Sequence, residues 1–479
     1  MAVVTKKRIY ITNSIPYVNA APHVGHALEF VESDVVARYY RQRGHQVLLL
    51  CGSDENALKN VQAAEAAGIQ IQTFVDKNAR QFQQLAEALD IRFDVFQKGS
   101  DQTRHFPSSQ KLWSLCAAAD DIYKKNYTGL YCVGCETFYS PDELNENGEC
   151  PEHPGKKLDR VSETNYFFRL SRYQKQLTRL IKDEKIKIHP EKRKNELLSF
   201  LRQPLKDISI SRSNERAKNW GVPVPNDPTQ RIYVWFDALN IYQTGIGFGW
   251  DDSRYRRWWP AQLHVIGKGI IRFHAVYWPA FLLSAGLKLP RAILVHDYLT
   301  INGQKMSKTL GNIVDPFRLI AQYGSDAVRY YFLREISPFS DGDYSDTRMN
   351  NLYRAELANE LGNLVMRITT LAEQDGITFI SPPAGQIYDK AMRDWFAAFQ
   401  FNLILETIWK HVRLLNKDID AFAPWGKDPI ARRAFLEKQL KNLNLIGRQL
   451  QPFLPKTADQ IINTTQGKIH KTKPLFPKV

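Results

Sequence analysis

Two histidines on either side of a glycine could bind phosphate near the start of the chain. His23, Gly25 and His26 follow a predicted strand, at the point where a helix is expected to begin. Backbone N–H groups and the helix dipole favour anions there, and two imidazoles three residues apart share one face of the first turn. Gly25 lacks a Cβ and would let a nucleotide ring lie against the backbone. By spacing alone, two polar residues that merely open a helix remain the simpler interpretation.

A second candidate phosphate site is the basic segment 305–309. Lys305, Ser307 and Lys308 follow a predicted strand and the turn at Asn302 and Gly303. Two ammonium groups on a loop suit a leaving pyrophosphate, because they stabilise charge that develops only during the reaction. Without other information, an ordinary solvated basic loop is the simpler interpretation.

Three cysteines and a histidine have the spacing of a metal site. Cys132, Cys135, Cys150 and His153 form the pattern Cys-x2-Cys-x14-Cys-x2-His. Three thiolates and one imidazole can close a tetrahedral zinc site, and four protein ligands leave no position open for a substrate. The sequence therefore predicts one structural Zn²⁺. Buried free thiols with a histidine nearby by chance are the alternative.

Composition narrows the class of protein. The chain has 479 residues, five cysteines and a net charge of +15, which predicts either a polyanionic partner or simple solubility. An odd cysteine number with three clustered residues argues against a disulfide scaffold. The first residues lack a secretory or transit pattern, and no apolar run is long enough to cross a membrane. We expect a cytoplasmic protein, or a mature organellar form, with no membrane contact.

The elements that must position these residues alternate between strand and helix in the first part of the chain. Short strands are predicted at 8–12, 47–51, 208–211, 232–235, 263–266 and 292–296. We predict the α/β class: a split, doubly wound, Rossmann-like parallel-sheet domain with a zinc-knuckle insertion, followed by an all-α bundle. The predicted boundaries are 1–116 and 206–300 for the two halves of the sheet domain, 117–205 for the insertion, 301–349 for the basic loop and a linking stem, and 350–479 for the bundle.

Taken together and in this order, the two basic motifs resemble the HIGH and KMSKS signatures of class I aminoacyl-tRNA synthetases. The likeness to the methionine-specific branch of that family covers nearly the whole chain and is densest at 11–19, 234–239, 264–268 and 273–280. It implies activation of L-methionine with ATP and Mg²⁺ to methionyl-adenylate and pyrophosphate, then transfer to the 3′ end of tRNA(Met). It also implies a zinc knuckle in the insertion, in agreement with the cysteine pattern.

The resemblance assigns roles residue by residue. Methionine would contact Ile15, Tyr17, Asp54, Trp235, Ala238, Leu239, Tyr242, His274 and Trp278, with Asp54 holding the ammonium group. ATP would contact Thr12, His23, Gly25, His26, Arg212, Lys305, Ser307 and Lys308, of which His23, His26, Lys305 and Lys308 would be catalytic. Asn363, Arg367 and Trp425 match positions that read the anticodon. On residue type alone, the aromatic residues would be core, Arg212 would form a surface ion pair, and the anticodon set would be packing or surface residues.

Two positions depart from the family pattern. Asn56 and Ala57 stand where the family commonly has His-Gly, and Gly269 stands where it commonly has Asp. These departures keep a second hypothesis open: a synthetase-like tRNA-binding protein with lost or altered amino-acid activation. We also expect a monomer, because the chain stops soon after the predicted bundle.

Overall fold

Parallel strands and helices alternate through the first part of the chain. The structure, a computed structural model, describes residues 6–134, 137–139, 141–151, 155, 158–301, 303–305, 313–337, 339–381 and 386–477. The strands are β1 (Arg8–Asn13), β2 (Gln46–Ser53), β3 (Val95–Lys98), β4 (Ile122–Cys132), β5 (Thr137–Tyr139), β6 (Asp159–Phe168), β7 (Lys187–His189), β8 (Ile208–Ser209), β9 (Ser211–Ser213), β10 (Pro223–Val224), β11 (Asp227–Ile232), β12 (Leu263–Gly267), β13 (Ala292–His296), β14 (Leu299–Ile301), β15 (Gln304–Lys305), β16 (Gly342–Tyr344), β17 (Thr378–Phe379) and β18 (Gly467–Lys468).

The helices of the described residues fall into a mixed α/β part and an all-α part. They are α1 (Val24–Gln42), α2 (Leu58–Ala66), α3 (Ile71–Ala88), α4 (His105–Ala118), α5 (Gln174–Lys182), α6 (Glu191–Phe200), α7 (Val234–Thr244), α8 (Asp252–Trp258), α9 (Trp278–Ser284), α10 (Pro316–Tyr323), α11 (Ser325–Glu335), α12 (Asp346–Leu352), α13 (Asn363–Gln374), α14 (Lys390–Ala397), α15 (Phe401–Phe422), α16 (Pro429–Leu450) and α17 (Pro455–Thr464). None of the helices in these ranges is both long and apolar enough to cross a membrane.

The chain divides into two units. The first comprises Met1–Pro22, His45–Gln84 and Arg92–His296, and the second comprises His23–Gly44, Leu85–Ile91 and Asp297–Val479. The second unit therefore includes helix α1 as well as the helices of the C-terminal part.

A six-stranded parallel sheet organises the first unit. Its strand order is β3-β2-β1-β12-β13-β7, and each neighbouring pair is parallel. Strands β1 and β2 come before the predicted insertion and β12 and β13 after it, and Ile11 pairs with Leu263. Their central residues are buried, as expected for strands covered on both faces. The prediction of a split, doubly wound parallel sheet is confirmed.

The insertion contributes strands β4, β5 and β6 to an antiparallel sheet in the order β5-β4-β6-β8, whose strand β8 lies just beyond the predicted boundary at 205. Strand β7 also lies within the predicted insertion, yet it pairs with β13 at the edge of the parallel sheet. We did not predict this strand, because it has only three residues and only Ile188 among them is buried. A segment that short carries no readable periodicity.

The predicted strand at 232–235 is wrong. Strand β11 ends at Ile232, and helix α7 begins at Val234. Every residue of α7 is buried, including the polar Asp237, Asn240 and Gln243, and the helix begins inside the apolar run 232–236. A short apolar run of this kind fits a buried strand and a buried helix equally well.

Helices dominate the described residues of 350–479, where the two-residue strands β17 and β18 also pair with each other. The predicted helical C-terminal part is confirmed. Helix α14 ends at Ala397, and Phe399 with φ +58° turns the chain into α15. A buried ion pair joins α1 to α11, with Arg329 Nη2 2.8 Å from Asp34 Oδ2. The guanidinium of Arg329 also donates to the backbone carbonyl of Phe453. Helix α1 is thus fixed by charged and polar contacts within the second unit.

Candidate active site

Helix α7 carries four of the residues predicted to contact methionine. Trp235, Ala238, Leu239 and Tyr242 are all buried. The indole of Trp235 stacks on the ring of Phe273, with centroids 3.6 Å apart and planes 4° apart. Sequence reasoning missed Phe273, although it is an aromatic residue inside one of the blocks that carry the resemblance. Aromatic faces and edges of this kind pack well against a thioether.

Asp54 lies beside the aromatic residues. Its backbone forms an isolated parallel bridge with Tyr17, and only 3% of Asp54 is exposed. The rings of Tyr17 and Trp235 pack edge to face, with their centroids 6.0 Å apart. The ammonium nitrogen of Lys59 lies over the face of the Tyr17 ring, 2.9 Å from its centroid. Ile15 packs partly buried against the same apolar cluster. The first unit therefore places a buried carboxylate next to the rings predicted to hold methionine.

His274 and Trp278 complete the predicted set. His274 lies in the π-helical turn Phe273–Tyr277, immediately before α9, and its Nδ1 is 3.0 Å from the carbonyl oxygen of Ile270. A carbonyl only accepts, so Nδ1 carries the proton and Nε2 accepts from the hydroxyl of Tyr242 at 2.7 Å. Trp278 is fully buried, and among the described residues its Nε1 has no hydrogen-bond partner. Turns of the π type often mark functional sites.

His264 is a central residue that sequence reasoning did not assign. It lies in β12, fully buried, with Nδ1 2.5 Å from Oγ1 of Thr12, which was predicted to contact ATP. Its ring is 4.6 Å from that of Tyr242 and 6.2 Å from that of His274. Burial, reinforced by His274, holds the pKa of His264 well below its usual range, so the ring is neutral. In the sequence, His264 could have been noticed as an ionisable residue inside an otherwise apolar strand.

In the second unit, the paired histidines form the N-terminal cap of α1. The backbone N–H of Gly25 donates to His23 Nδ1 at 3.1 Å, and the N–H of His23 donates to His26 Nδ1 at 3.2 Å. The two rings are 4.0 Å apart. Because both Nδ1 atoms accept, each neutral ring keeps its proton on Nε2. Two imidazole N–H donors thus lie side by side at a helix N-terminus, an arrangement suited to phosphate.

The basic segment begins in a hairpin of the same unit. Strand β15 pairs with β14, and Lys305 is opposite Thr300. Gly303 turns the chain with φ +73°, and its N–H donates to Asp343 Oδ1 at 2.8 Å. The side chain of Lys305 and all of residues 306–312, with the predicted Ser307 and Lys308, lie outside what the structure describes.

Arg212 is held within the first unit on β9. Its Nη1 donates to the hydroxyl of Ser209 at 2.9 Å and to the carbonyl of Ser211 at 2.7 Å. The guanidinium also lies over the ring of Tyr233 at 4.4 Å. These contacts hold the residue in place, and its role toward ATP stays a prediction.

Half of the predicted zinc ligands belong to the described residues. Cys132, at the end of β4, and Cys150 are buried and form no disulfide. Cys135 and His153 lie outside the described residues. Within the described ranges no group of three or more His, Cys, Asp or Glu could hold a metal, so the four-ligand prediction stays untested.

The predicted anticodon residues lie on the helical part of the second unit. Asn363 is exposed at the start of α13, and Arg367 follows one turn later on the same face. Arg367 Nη2 pairs with Asp420 Oδ1 of α15 at 2.5 Å. Trp425 comes shortly after α15 in a 3-10 turn and is 63% exposed, unusual for so large an apolar ring.

Known proteins resemble this chain over nearly its whole length. The family model described as tRNA synthetases class I (M) matches residues 9–161 and 154–369. A methionine–tRNA ligase of Thermotoga maritima is 38% identical over 95% of this chain and 74% of its own length. One of Mycobacterium bovis is 41% identical over 95% of this chain and 92% of its own.

A solved structure shows the same fold. The crystal structure of Mycobacterium tuberculosis methionyl-tRNA synthetase bound by methionyl-adenylate matches with a TM-score of 0.90 at 38% identity. The match covers 98% of this chain and all of that chain. With this identity and coverage, added to the buried carboxylate among aromatic rings and the histidine-capped helix, the chain belongs to the methionine–tRNA ligases of the class I tRNA synthetase family.

Proposed function

We propose that this chain activates L-methionine with ATP and transfers the methionyl group to the 3′ end of tRNA(Met). The observation that carries the proposal is the buried carboxylate of Asp54 beside the edge-to-face pair of Tyr17 and Trp235. A closed site that holds an α-ammonium needs a carboxylate partner, and a thioether is held well by aromatic rings. Charging of tRNA(Met) with labelled methionine by the purified protein tests the proposal.

In the first step, a carboxylate oxygen of methionine attacks the α-phosphorus of ATP. A bond forms to that phosphorus, the bond to the bridging oxygen breaks, and pyrophosphate leaves. His23 and His26 donate from Nε2, and Lys305 and Lys308 supply ammonium groups, to oxygens whose charge grows as the bond breaks. Mg²⁺ bound to ATP would balance part of the negative charge on the phosphates. Positioning and charge stabilisation carry the rate.

Other residues hold the nucleotide. Gly25 leaves room beside the backbone at the start of α1, while Thr12, Ser307 and Arg212 supply hydrogen bonds. In the second step, a terminal hydroxyl of the tRNA attacks the activated carbonyl, and AMP leaves. The adenylate is already activated, so no protein general base is assigned to this step.

We propose that Cys132, Cys135, Cys150 and His153 hold one structural Zn²⁺. The buried, disulfide-free state of Cys132 and Cys150 supports the thiolate role. We expect elemental analysis of purified protein to find about one zinc per chain, and Cys150→Ser to lose it. Cys116→Ser, at a buried cysteine outside the motif, is the matched control and should keep its zinc. Folded wild-type protein without zinc would contradict the assignment.

We propose that the exposed indole of Trp425 stacks on an anticodon base, with Asn363 and Arg367 reading base edges. Trp425→Ala should raise the KM for tRNA(Met) about 10- to 100-fold, because stacking on one base is lost. Methionine-dependent pyrophosphate exchange should be unchanged, since it needs no tRNA.

The matched control for Trp425 is Ile380→Ala, at an apolar residue that is 80% exposed. It should leave the KM for tRNA(Met) as it is in the wild type. An equal fall in exchange and in charging for Trp425→Ala would contradict the anticodon role.

A further inference from the structure

Asn56 joins two segments that carry the candidate methionine site. It lies two residues after Asp54 and is nearly buried. Its Nδ2 donates to the carbonyl oxygen of Gly99 at 2.8 Å and to Asp237 Oδ2 at 2.7 Å. A side-chain amide nitrogen has two hydrogens, so both are used.

Asp237 lies in the first turn of helix α7, between Trp235 and Ala238, and is only 1% exposed. The same Oδ2 atom is 3.8 Å from Nε2 of His105, whose Nδ1 is 3.0 Å from the hydroxyl of Thr244. Burial raises the pKa of Asp237, and the contacts with His105 and Asn56 work against that rise. The charged form of the Asp237 carboxyl is therefore stabilised by its hydrogen-bond donors. Among the described residues, the side chain of Asn56 is the nearest of these donors.

Because Asn56 lies beside Asp54 in the chain, its bond to Asp237 affects how the site holds methionine. The segment 53–56 carries Asp54, which is assigned to the ammonium group, and α7 carries the rings and aliphatic groups assigned to the side chain. The Asn56–Asp237 bond links these two groups directly and so constrains their separation. That separation must match the length of the bound amino acid.

We propose that Asn56 is a positioning residue that sets the distance between Asp54 and helix α7, and thereby the selectivity for methionine over the shorter homocysteine. This proposal rests on the function proposed above. The proposal also explains why Asn56, where the family commonly has His, does not weaken the site. A neutral imidazole has a single N–H to donate, whereas the amide nitrogen of Asn56 donates to both Gly99 and Asp237.

The test compares Asn56→Ala and Asn56→His with the wild type in pyrophosphate exchange. For Asn56→Ala we expect the KM for methionine to rise about 30-fold, the preference for methionine over homocysteine to fall about 10-fold, and the KM for ATP to stay unchanged. Asn56→His keeps one N–H for Asp237 and should recover most of the loss. Calorimetric titration with methionine alone should show the same order of affinities.

The matched control is Asn444→Ala, at a buried amide whose Nδ2 donates to Thr465 Oγ1 at 2.9 Å in the second unit. It should lower the melting temperature and leave the KM for methionine unchanged. The proposal is overturned if Asn56→Ala keeps the wild-type KM and selectivity, or if it changes kcat and both KM values alike. If Asn56→Ala is insoluble, Asn56→Leu, which has a similar size but no N–H for Gly99 or Asp237, takes its place, and wild-type KM and selectivity in that variant overturn the proposal. Wild-type protein without methionine-dependent exchange would instead contradict the proposed function.

Discussion

Asp54→Asn should reduce kcat/KM for methionine in pyrophosphate exchange by about 10²- to 10³-fold. The substitution keeps the shape of a side chain that is almost completely buried but removes its charge. The α-ammonium of methionine would then enter the site without a carboxylate, and an uncompensated buried charge is strongly unfavourable. Most of the effect should appear as a raised KM for methionine, because the ammonium is held in the ground state and in the transition state alike.

The control for Asp54 is Asp251→Asn. Asp251 caps α8, where its Oδ1 accepts from the N–H of Arg254 at 3.0 Å. Asparagine caps a helix nearly as well as aspartate, so this variant should behave like the wild type. Kinetics at varied methionine and at saturating ATP measure both variants. An Asp54→Asn protein with wild-type kcat/KM would remove Asp54 from the site.

His23→Asn should lower kcat of the exchange reaction by about 10²- to 10³-fold. The imidazole of His23 donates from Nε2 to a phosphate oxygen in the proposed mechanism, and that contact strengthens as pyrophosphate leaves. Asparagine is a good N-cap, so it can still accept from the N–H of Gly25, and α1 should remain intact. The melting temperature should therefore be close to that of the wild type, as measured by thermal unfolding.

The choice of asparagine at position 23 separates catalysis from folding. His23→Ala would lose the cap as well as the donor, and its fall in rate would have two possible causes. A His23→Asn protein with normal stability and normal kcat would show that His23 is only a structural cap. A normal KM for methionine is expected in either case, since His23 is assigned to ATP.

The sequence predicted strands β1, β2, β12 and β13 of the parallel sheet because they are apolar runs bounded by turn residues, but it did not predict the edge strands β3 and β7. Strand β2 begins one residue before and ends two residues after its predicted bounds of 47–51. Helix α7 was missed because it begins inside the apolar run 232–236, which fits a strand equally well, and β7 was missed because three residues carry too little pattern.

Site residues were predictable to different degrees. The methionine contacts followed from resemblance, since spacing and residue type alone favoured a core role for Trp235 and Trp278. The bond between Asn56 and Asp237 joins residues 181 positions apart, so no local pattern could reveal it. His264 could have been suspected as an ionisable residue in an apolar strand, but its partners Thr12 and Tyr242 become visible only in the fold.

The most direct test of the central claim is exchange of labelled pyrophosphate into ATP, dependent on methionine. We predict exchange with methionine, much less with homocysteine, and none with isoleucine or without an amino acid. That result requires the pocket, the adenylate chemistry and the basic motifs to work together. Folded protein that binds tRNA(Met) but shows no exchange with methionine would contradict the account and favour a synthetase-like binding protein, with Gly269→Asp as the first reversion to make.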